Sequence, residues 1–243
     1  MAETEQTNKY AVHESIREGK NLLVKHLIDE NSKLLFLKDE DERTPLHWAC
    51  SMSNLEIVEY LLKPRPGVKE YDIDELQDAS EWTPIHITAS VGSPSILDLL
   101  MNSTSETPDI DLTTGQGTTA LHLAISKNHY DLVKKLIIDY KCSCRIKDKK
   151  GFTPLHRAAS IGSQPIVKLL VEKGKVNVNA KDNEGWTSLH HALAEGHGDV
   201  GALLVHLGAD PTIVNDEGNK PIQVSVDEKV ARFFKQSIEG QTS

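Results

Sequence analysis

A tetrapeptide of the form Thr-Pro-Leu-His returns along this chain at nearly even spacing, and no other feature limits the possible folds so strongly. It reads Thr44-Pro45-Leu46-His47, Thr83-Pro84-Ile85-His86, Thr119-Ala120-Leu121-His122, Thr153-Pro154-Leu155-His156 and Thr187-Ser188-Leu189-His190, with His-to-His steps of 39, 36, 34 and 34. One step back falls on His13 and one step on falls on Gln223 in Lys220-Pro221-Ile222-Gln223, which makes seven units with degenerate outer members. Ten residues after the His stand Leu23, Ile57, Ile96, Leu132, Ile166 and Val200, and fourteen after it Leu27, Leu61, Leu100, Leu136, Leu170 and Leu204. This apolar i, i+4 pair predicts an amphipathic second helix in each unit, with both positions buried.

Eight residues ahead of the His an Asp recurs at Asp39, Asp78, Asp148 and Asp182, and five ahead (counting Gln223 as the last unit's His) a Gly recurs at Gly117, Gly151, Gly185 and Gly218. Asp-x-x-Gly is turn chemistry, the Gly supplying a positive φ. Glu42 and Glu81 hold that slot in two units. Either those turns differ, or they carry strain of about 1 kcal/mol each. Thr-Pro then starts a helix, because Thr caps the first N–H groups and Pro suits the first helical position. The two long steps locate insertions near Pro64-Arg65-Pro66-Gly67 and Asn102-Ser103-Thr104-Ser105, both in loops after a second helix.

These residues resemble the ankyrin repeat, a β-turn finger followed by two antiparallel helices over about 33 residues. The resemblance spans roughly residues 10 to 235 and implies an all-α ankyrin-repeat solenoid. One such unit cannot bury its apolar face alone, so neighbours stack. The expectation is a single domain over residues 9–238, with units starting near 10, 44, 83, 119, 153, 187 and 220, flanked by a disordered tail (1–8) and a C-terminal tail (239–243). Aromatic residues are only 5% of the 243, as suits a core of repeated Leu, Ile and Ala faces.

The net charge of −9 disfavours nucleic acid as a partner. No signal pattern opens the chain and no apolar run approaches the roughly 18 residues of a membrane span, so a soluble intracellular protein without membrane contact is expected, in cytoplasm and nucleus. Cys50, Cys142 and Cys144 form no CxxC pair and read as ordinary thiols.

Eleven histidines invite a search for catalysis, but His13, His47, His86, His122, His156 and His190 are the repeat His. A group present six times in one frame is structural and is expected to hydrogen-bond the finger backbone. The cluster from His190 to Asp199 looks like a metal box, yet His197 falls at the turn between helices, away from His190. Gly115-Gln116-Gly117 and Gly19-Lys20 lack the further residues of phosphate loops. The reading is a non-enzyme with no cofactor and no metal.

In a stacked ankyrin array, finger tips and the exposed face of the first helices line a concave groove. Arg43, Trp82, Phe152 and Trp186 stand four before the His, and Trp and Arg are frequent interface anchors. Charge is sorted along the chain. Asp39 to Glu42 are acidic, Arg145, Lys147, Lys149 and Lys150 with Lys127 and Arg157 are basic, and Glu184, Asp216 and Glu217 are acidic again. Such an order suits electrostatic registration of a partner.

Asp39 to Ser51, Trp82 to His86, Ser126-Lys127-Asn128 and His156 to Ala159 resemble stretches of the gankyrin-type proteasome assembly chaperones. Arg145 to Lys149 and Ala192 to Asp199 are more similar still to the yeast member. The resemblance implies a partner, the C-terminal domain of one AAA-type ATPase of the proteasome base, held during assembly while core-particle docking is hindered. The contacts implied are Asp41, Arg43, Trp48, Trp82, Lys127 and Arg157, with Asp78 and Trp186 as further candidates. The LxCxE-type motif of animal members lacks its Cys in His191-Ala192-Leu193-Ala194-Glu195, so retinoblastoma-type binding is not implied. The alternative is an ankyrin adaptor or inhibitor of a cyclin-dependent kinase or transcription factor. A monomer before binding is expected.

Overall fold

The computed structural model describes residues 9–239. Of the expected tails, residues 1–8 and 240–243 lie outside them, while Glu239, expected in the 239–243 tail, is the last residue of the final helix. The chain divides into two compact units, one ending at Gly115 and one beginning at Gln116. Among the described residues the named elements are helices, and an isolated antiparallel bridge joins Lys181 and Thr187. No described helix is long and apolar enough to cross a membrane.

In the first unit, α1 (Ala11–Arg17), α3 (Pro45–Ser51) and α5 (Pro84–Val91) pack side by side as first helices. Alongside them run the second helices α2 (Asn21–Glu30), α4 (Leu55–Leu62) and α6 (Pro94–Asn102), and a 3-10 turn follows α2 at Ser32–Phe36. The second unit repeats the scheme. Its first helices are α7 (Ala120–Ser126), α9 (Pro154–Ser160) and α11 (Ser188–Ala194), and its second helices are α8 (Tyr130–Ile138), α10 (Gln164–Lys173) and α12 (Gly198–His206). A 3-10 turn at Pro221–Val224 stands where the last first helix would be, and α13 (Glu228–Glu239) ends the stack.

The Thr-x-x-His element explains why each first helix starts where it does. Thr44 is in extended conformation and caps α3, while the His47 side chain returns to accept the Thr44 N–H at Nδ1 (3.2 Å). The same reciprocal cap opens α5, α7, α9 and α11. With Nδ1 accepting, Nε2 carries the proton and donates forward to the next finger. His47 reaches the carbonyls of Leu76 (3.1 Å) and Trp82 (3.2 Å), and His156 those of Ala180 (3.1 Å) and Trp186 (3.2 Å). His13, His86, His122 and His190 make the corresponding bonds to the following finger. The repeat His is thus a clamp between neighbouring repeats. Burial pushes His47, His122 and His156 down to about 4, so they are neutral near pH 7.

The predicted second-helix faces are buried from α4 onward, at Ile57 and Leu61, Ile96 and Leu100, Leu132 and Leu136, Ile166 and Leu170, and Val200 and Leu204. The first repeat departs from this register. Val24 and Ile28 are its fully buried positions in α2, while Leu23 is exposed. Among the described residues no helix covers the far side of α2, so only the faces turned toward α1, α4 and the 3-10 turn are buried.

The fingers settle the two possibilities for Glu42 and Glu81. Both adopt the same turn as the glycines, at φ 60° and 61°. At Gly151 and Gly185 the slot is crowded. A Cβ on Gly151 would meet the Asn183 N at 2.7 Å, and one on Gly185 the Asp216 N at 2.8 Å. Glu81 faces Gly115 on the next finger, where an added Cβ would lie about 3.4 Å from the Glu81 carboxyl carbon and the Ser80 carbonyl oxygen.

The two insertions lie in loops after α4 and α6 and bind each other. Ser105 donates from N and Oγ to the Glu70 carboxylate (3.1 and 2.6 Å), and the Asp109 N–H donates to Asp74 Oδ2 (2.9 Å). The buried Tyr71 ties the first insertion to the 3-10 turn through its hydroxyl, which donates to Leu35 O (3.0 Å).

Candidate protein-binding surface

Four of the fingers are built on an aspartate. Asp39 Oδ1 accepts the N–H groups of Asp41 (3.0 Å) and Arg43 (2.8 Å), and the Asp39 N–H closes the turn on Arg43 O (3.0 Å). Asp78, Asp148 and Asp182 repeat this pattern. The finger therefore holds the residue four before the His at its base and presents the intervening residues at its tip.

In the first unit the surface centres on Trp48, one residue after the repeat His of α3. Its Nε1 donates to Asp39 Oδ2 (2.6 Å), and its ring is flanked by the guanidinium carbons of Arg17 (5.1 Å) and Arg43 (5.7 Å). Burial pushes the Asp39 carboxyl up, but bonds from Trp48 and from the Arg43 and Asp41 backbone outweigh it and hold the group below its ordinary range. Arg43 is half-buried and donates from Nε to Asp78 Oδ2 (3.0 Å). Its terminal amino groups carry further N–H donors that suit an external carboxylate or carbonyl. Glu40, Asp41, Glu42 and Glu81 are exposed around it. Trp82 is half-buried against His86, with ring centroids 6.5 Å apart.

Asp78 has a different place from the other candidates. Its side chain is only 3% exposed, Oδ1 serves the Ser80 and Trp82 N–H groups, and Oδ2 serves Arg43. It stands behind Arg43 rather than at the surface.

In the second unit, Arg157 of α9 donates from Nη2 to Asp148 Oδ2 (2.7 Å) and lies over the Phe152 ring (4.9 Å). His191 continues the stack. Its ring meets Phe152 edge-on at 4.6 Å and Trp186 at 5.2 Å, and Nε2 bonds Asp182 Oδ2 (2.8 Å). Lys127, at the end of α7, is exposed, as are Arg145, Lys147, Lys149 and Lys150. The Lys147 ammonium is anchored on Lys181 O (2.8 Å). Unit one thus offers an acidic patch around an arginine-flanked Trp, and unit two a basic patch around a ladder of Arg157, Phe152, His191 and Trp186.

Arg17 and His191 escape a reading by repeat position. Arg17 reaches Trp48 from another repeat. His191 stands nine residues after its turn Asp, as do Trp48 and Arg157, and that shared offset is visible in the sequence.

Nothing in the metal-like cluster converges. His190 is spent on Thr187 and Asn219, His191 on Asp182, and His197 Nε2 on Ser160 O (3.1 Å). Among the described residues no group of three or more His, Cys, Asp or Glu side chains is arranged to hold a metal ion. Cys142 and Cys144 are buried, and burial pushes the Cys50 thiol up to about 12, far from a nucleophile's range.

Stacked finger-and-helix-pair repeats with side chains presented on fingers and first helices define an ankyrin-repeat protein. The family model for ankyrin repeats (3 copies) matches residues 1–72, 66–148 and 131–215, and the chain belongs to that family.

Among individual proteins, the chain is 40% identical over 142 residues to a probable 26S proteasome regulatory subunit p28 of Saccharomyces cerevisiae, covering 58% of this chain and 60% of that one. An ankyrin repeat-containing protein of Schizosaccharomyces pombe is 37% identical over 128 residues, 53% of each chain. A 26S proteasome non-ATPase regulatory subunit 10 of Dictyostelium discoideum is 45% identical over 49 residues, 20% of this chain and 21% of that one. These alignments span at most about three-fifths of the curated relatives they match. Among solved structures, the ankyrin repeat domain of Bcl-3, a member of the IkappaB protein family, is similar with a TM-score of 0.73 and 26% identity, over 92% of this chain and 97% of that one.

Proposed function

We propose that this chain is a non-catalytic assembly chaperone of the proteasome. It holds the C-terminal domain of one AAA-type ATPase subunit of the regulatory particle during base assembly and hinders premature docking on the core particle. The observation that carries the reading is the 40% identity over 142 residues to a protein named as a 26S proteasome regulatory subunit. The two patches supply the means. The acidic fingers of unit one and the basic ladder of unit two would each face opposite charge on the partner, with Trp48, Trp82 and Trp186 as apolar contacts. The chain would act as a monomer in cytoplasm and nucleus.

A pull-down with the full chain from native lysate tests this. Free ATPase-containing base modules among the retained proteins support it. A cyclin-dependent kinase or a transcription factor, recovered without proteasome subunits, overturns it in favour of the adaptor reading.

A further inference from the structure

The finger aspartates divide two tasks between two oxygens. Oδ1 accepts two backbone N–H groups, which is all the turn requires. The last finger demonstrates this, because Asn215 builds the same turn with Oδ1 accepting the Glu217 (3.1 Å) and Asn219 (2.9 Å) N–H groups, while its Nδ2 is buried without a partner. Oδ2 is surplus to the turn, and in every finger with an Asp it takes a side-chain donor at the proposed binding surface. The donors are Trp48 on Asp39 (2.6 Å), Arg157 on Asp148 (2.7 Å) and His191 on Asp182 (2.8 Å), each nine residues on, and Arg43 on Asp78 (3.0 Å).

The sequence follows the same rule. In two of the three fingers where the residue nine on cannot donate, the Asp is absent: Thr114 precedes Leu123, and Asn215 precedes Val224. Asp78 precedes Ile87, and there Arg43 of the preceding finger fills the place. A carboxylate is therefore present where a surface side chain needs holding, and a neutral residue stands where none does. The side chains of Asp78, Asp148 and Asp182 are 3%, 4% and 2% exposed, so they cannot meet a partner themselves.

We propose that Asp39, Asp78, Asp148 and Asp182 are positioning residues. Their Oδ2 atoms fix Trp48, Arg43, Arg157 and His191 in one orientation before the partner arrives, so the ordering of these side chains is completed on folding rather than on binding.

The test is Asp148→Asn in the full chain. Asn keeps the acceptor for the Lys150 and Phe152 N–H groups and withdraws only the acceptor for Arg157. The chain is expected to keep its helical circular dichroism, while the Arg157 guanidinium, seen by 15N NMR, gains rotational freedom. Affinity for the C-terminal domain of the base ATPase captured by the wild-type chain should fall about three- to tenfold. Asp148→Asn combined with Arg157→Ala should bind no more weakly than Arg157→Ala alone. Asp182→Asn, read through the His191 ring signals, repeats the test should Asp148→Asn unfold.

An immobile Arg157 guanidinium in Asp148→Asn overturns the inference, as does unchanged affinity where Arg157→Ala is weakened. The binding arm rests on the proposed partner. A wild-type chain that captures no base ATPase defeats that reading, while the NMR arm still decides this one.

Discussion

Glu81 shows how one side chain can break the repeat rule and be accommodated. It holds φ 61°, where other fingers use Gly, and its carboxylate lies beside Gly115 of the next finger. A left-handed non-Gly residue costs about 1–2 kcal/mol, and a Gly returns part of that gain through its freer unfolded chain. Glu81→Gly is expected to stabilise the protein by about 0.5 kcal/mol in urea unfolding. Gly151→Ala should destabilise it by more than that, because its Cβ would lie 2.7 Å from a backbone nitrogen. The clamping His residues set a pH dependence. His47, His122 and His156 sit at about 4 when folded and near 6.5 when unfolded, so between these values the unfolded chain binds more protons. Stability is complete above 6.5 and falls as pH drops toward 4. At pH 5.5 each of the three costs about 1.4 kcal/mol relative to neutral pH. Urea midpoints that stay flat from pH 7.5 to 5.5 would contradict the buried neutral clamp.

The helices differ in what encloses them, and the last one shows why its neighbour carries glycines. Phe234 of α13 is 1% exposed and lies against Gly201, where an added Cβ would be 3.2 Å from the ring, while Phe233 lies 3.0 Å from such a Cβ on Gly198. Two missing side chains on α12 thus let α13 approach and cover the end of the stack. Phe234→Ala should cost about 3 kcal/mol, and hydrogen exchange should show α12 and α13 opening first. Protection loss spread evenly over all repeats would count against a local cap. Leu23 illustrates the opposite case. It occupies a buried position of the repeat, yet it is exposed because no described helix lies beyond α2.

For the molecule as a partner-binding protein, sorted charge predicts binding that salt weakens. The Debye length falls from about 10 Å at 0.1 M to about 3 Å at 1 M, so capture of the ATPase domain should decline steeply over that range. Arg43→Glu with Lys127→Glu places one reversal on each unit and should lower affinity at least about tenfold, mainly through slower association. Circular dichroism checks that this variant is folded, since Lys127 is exposed but Arg43→Glu sets a carboxylate against the buried Asp78. Retained affinity in that folded variant would count against both patches.

The parts of this protein that can be read from the chain are those whose causes are local or periodic. Thr and His three residues apart form their cap within one helical turn, Asp and Gly three apart form the finger, and the i, i+4 apolar pair marks the buried face of each second helix from α4 onward. The extra residues after α4 and α6 could only be loops. Other features depend on contacts between residues some thirty positions apart, which spacing within one unit does not encode. The stacking of Arg17 on Trp48, the burial of Asp78 behind Arg43 and the exposure of Leu23 all belong to this group. The tie from Asp39, Asp148 and Asp182 to the residue nine on lies between the two. Its offset is present in the sequence, but only packing reveals that the second carboxylate oxygen has nowhere to go except the side chain that the surface presents.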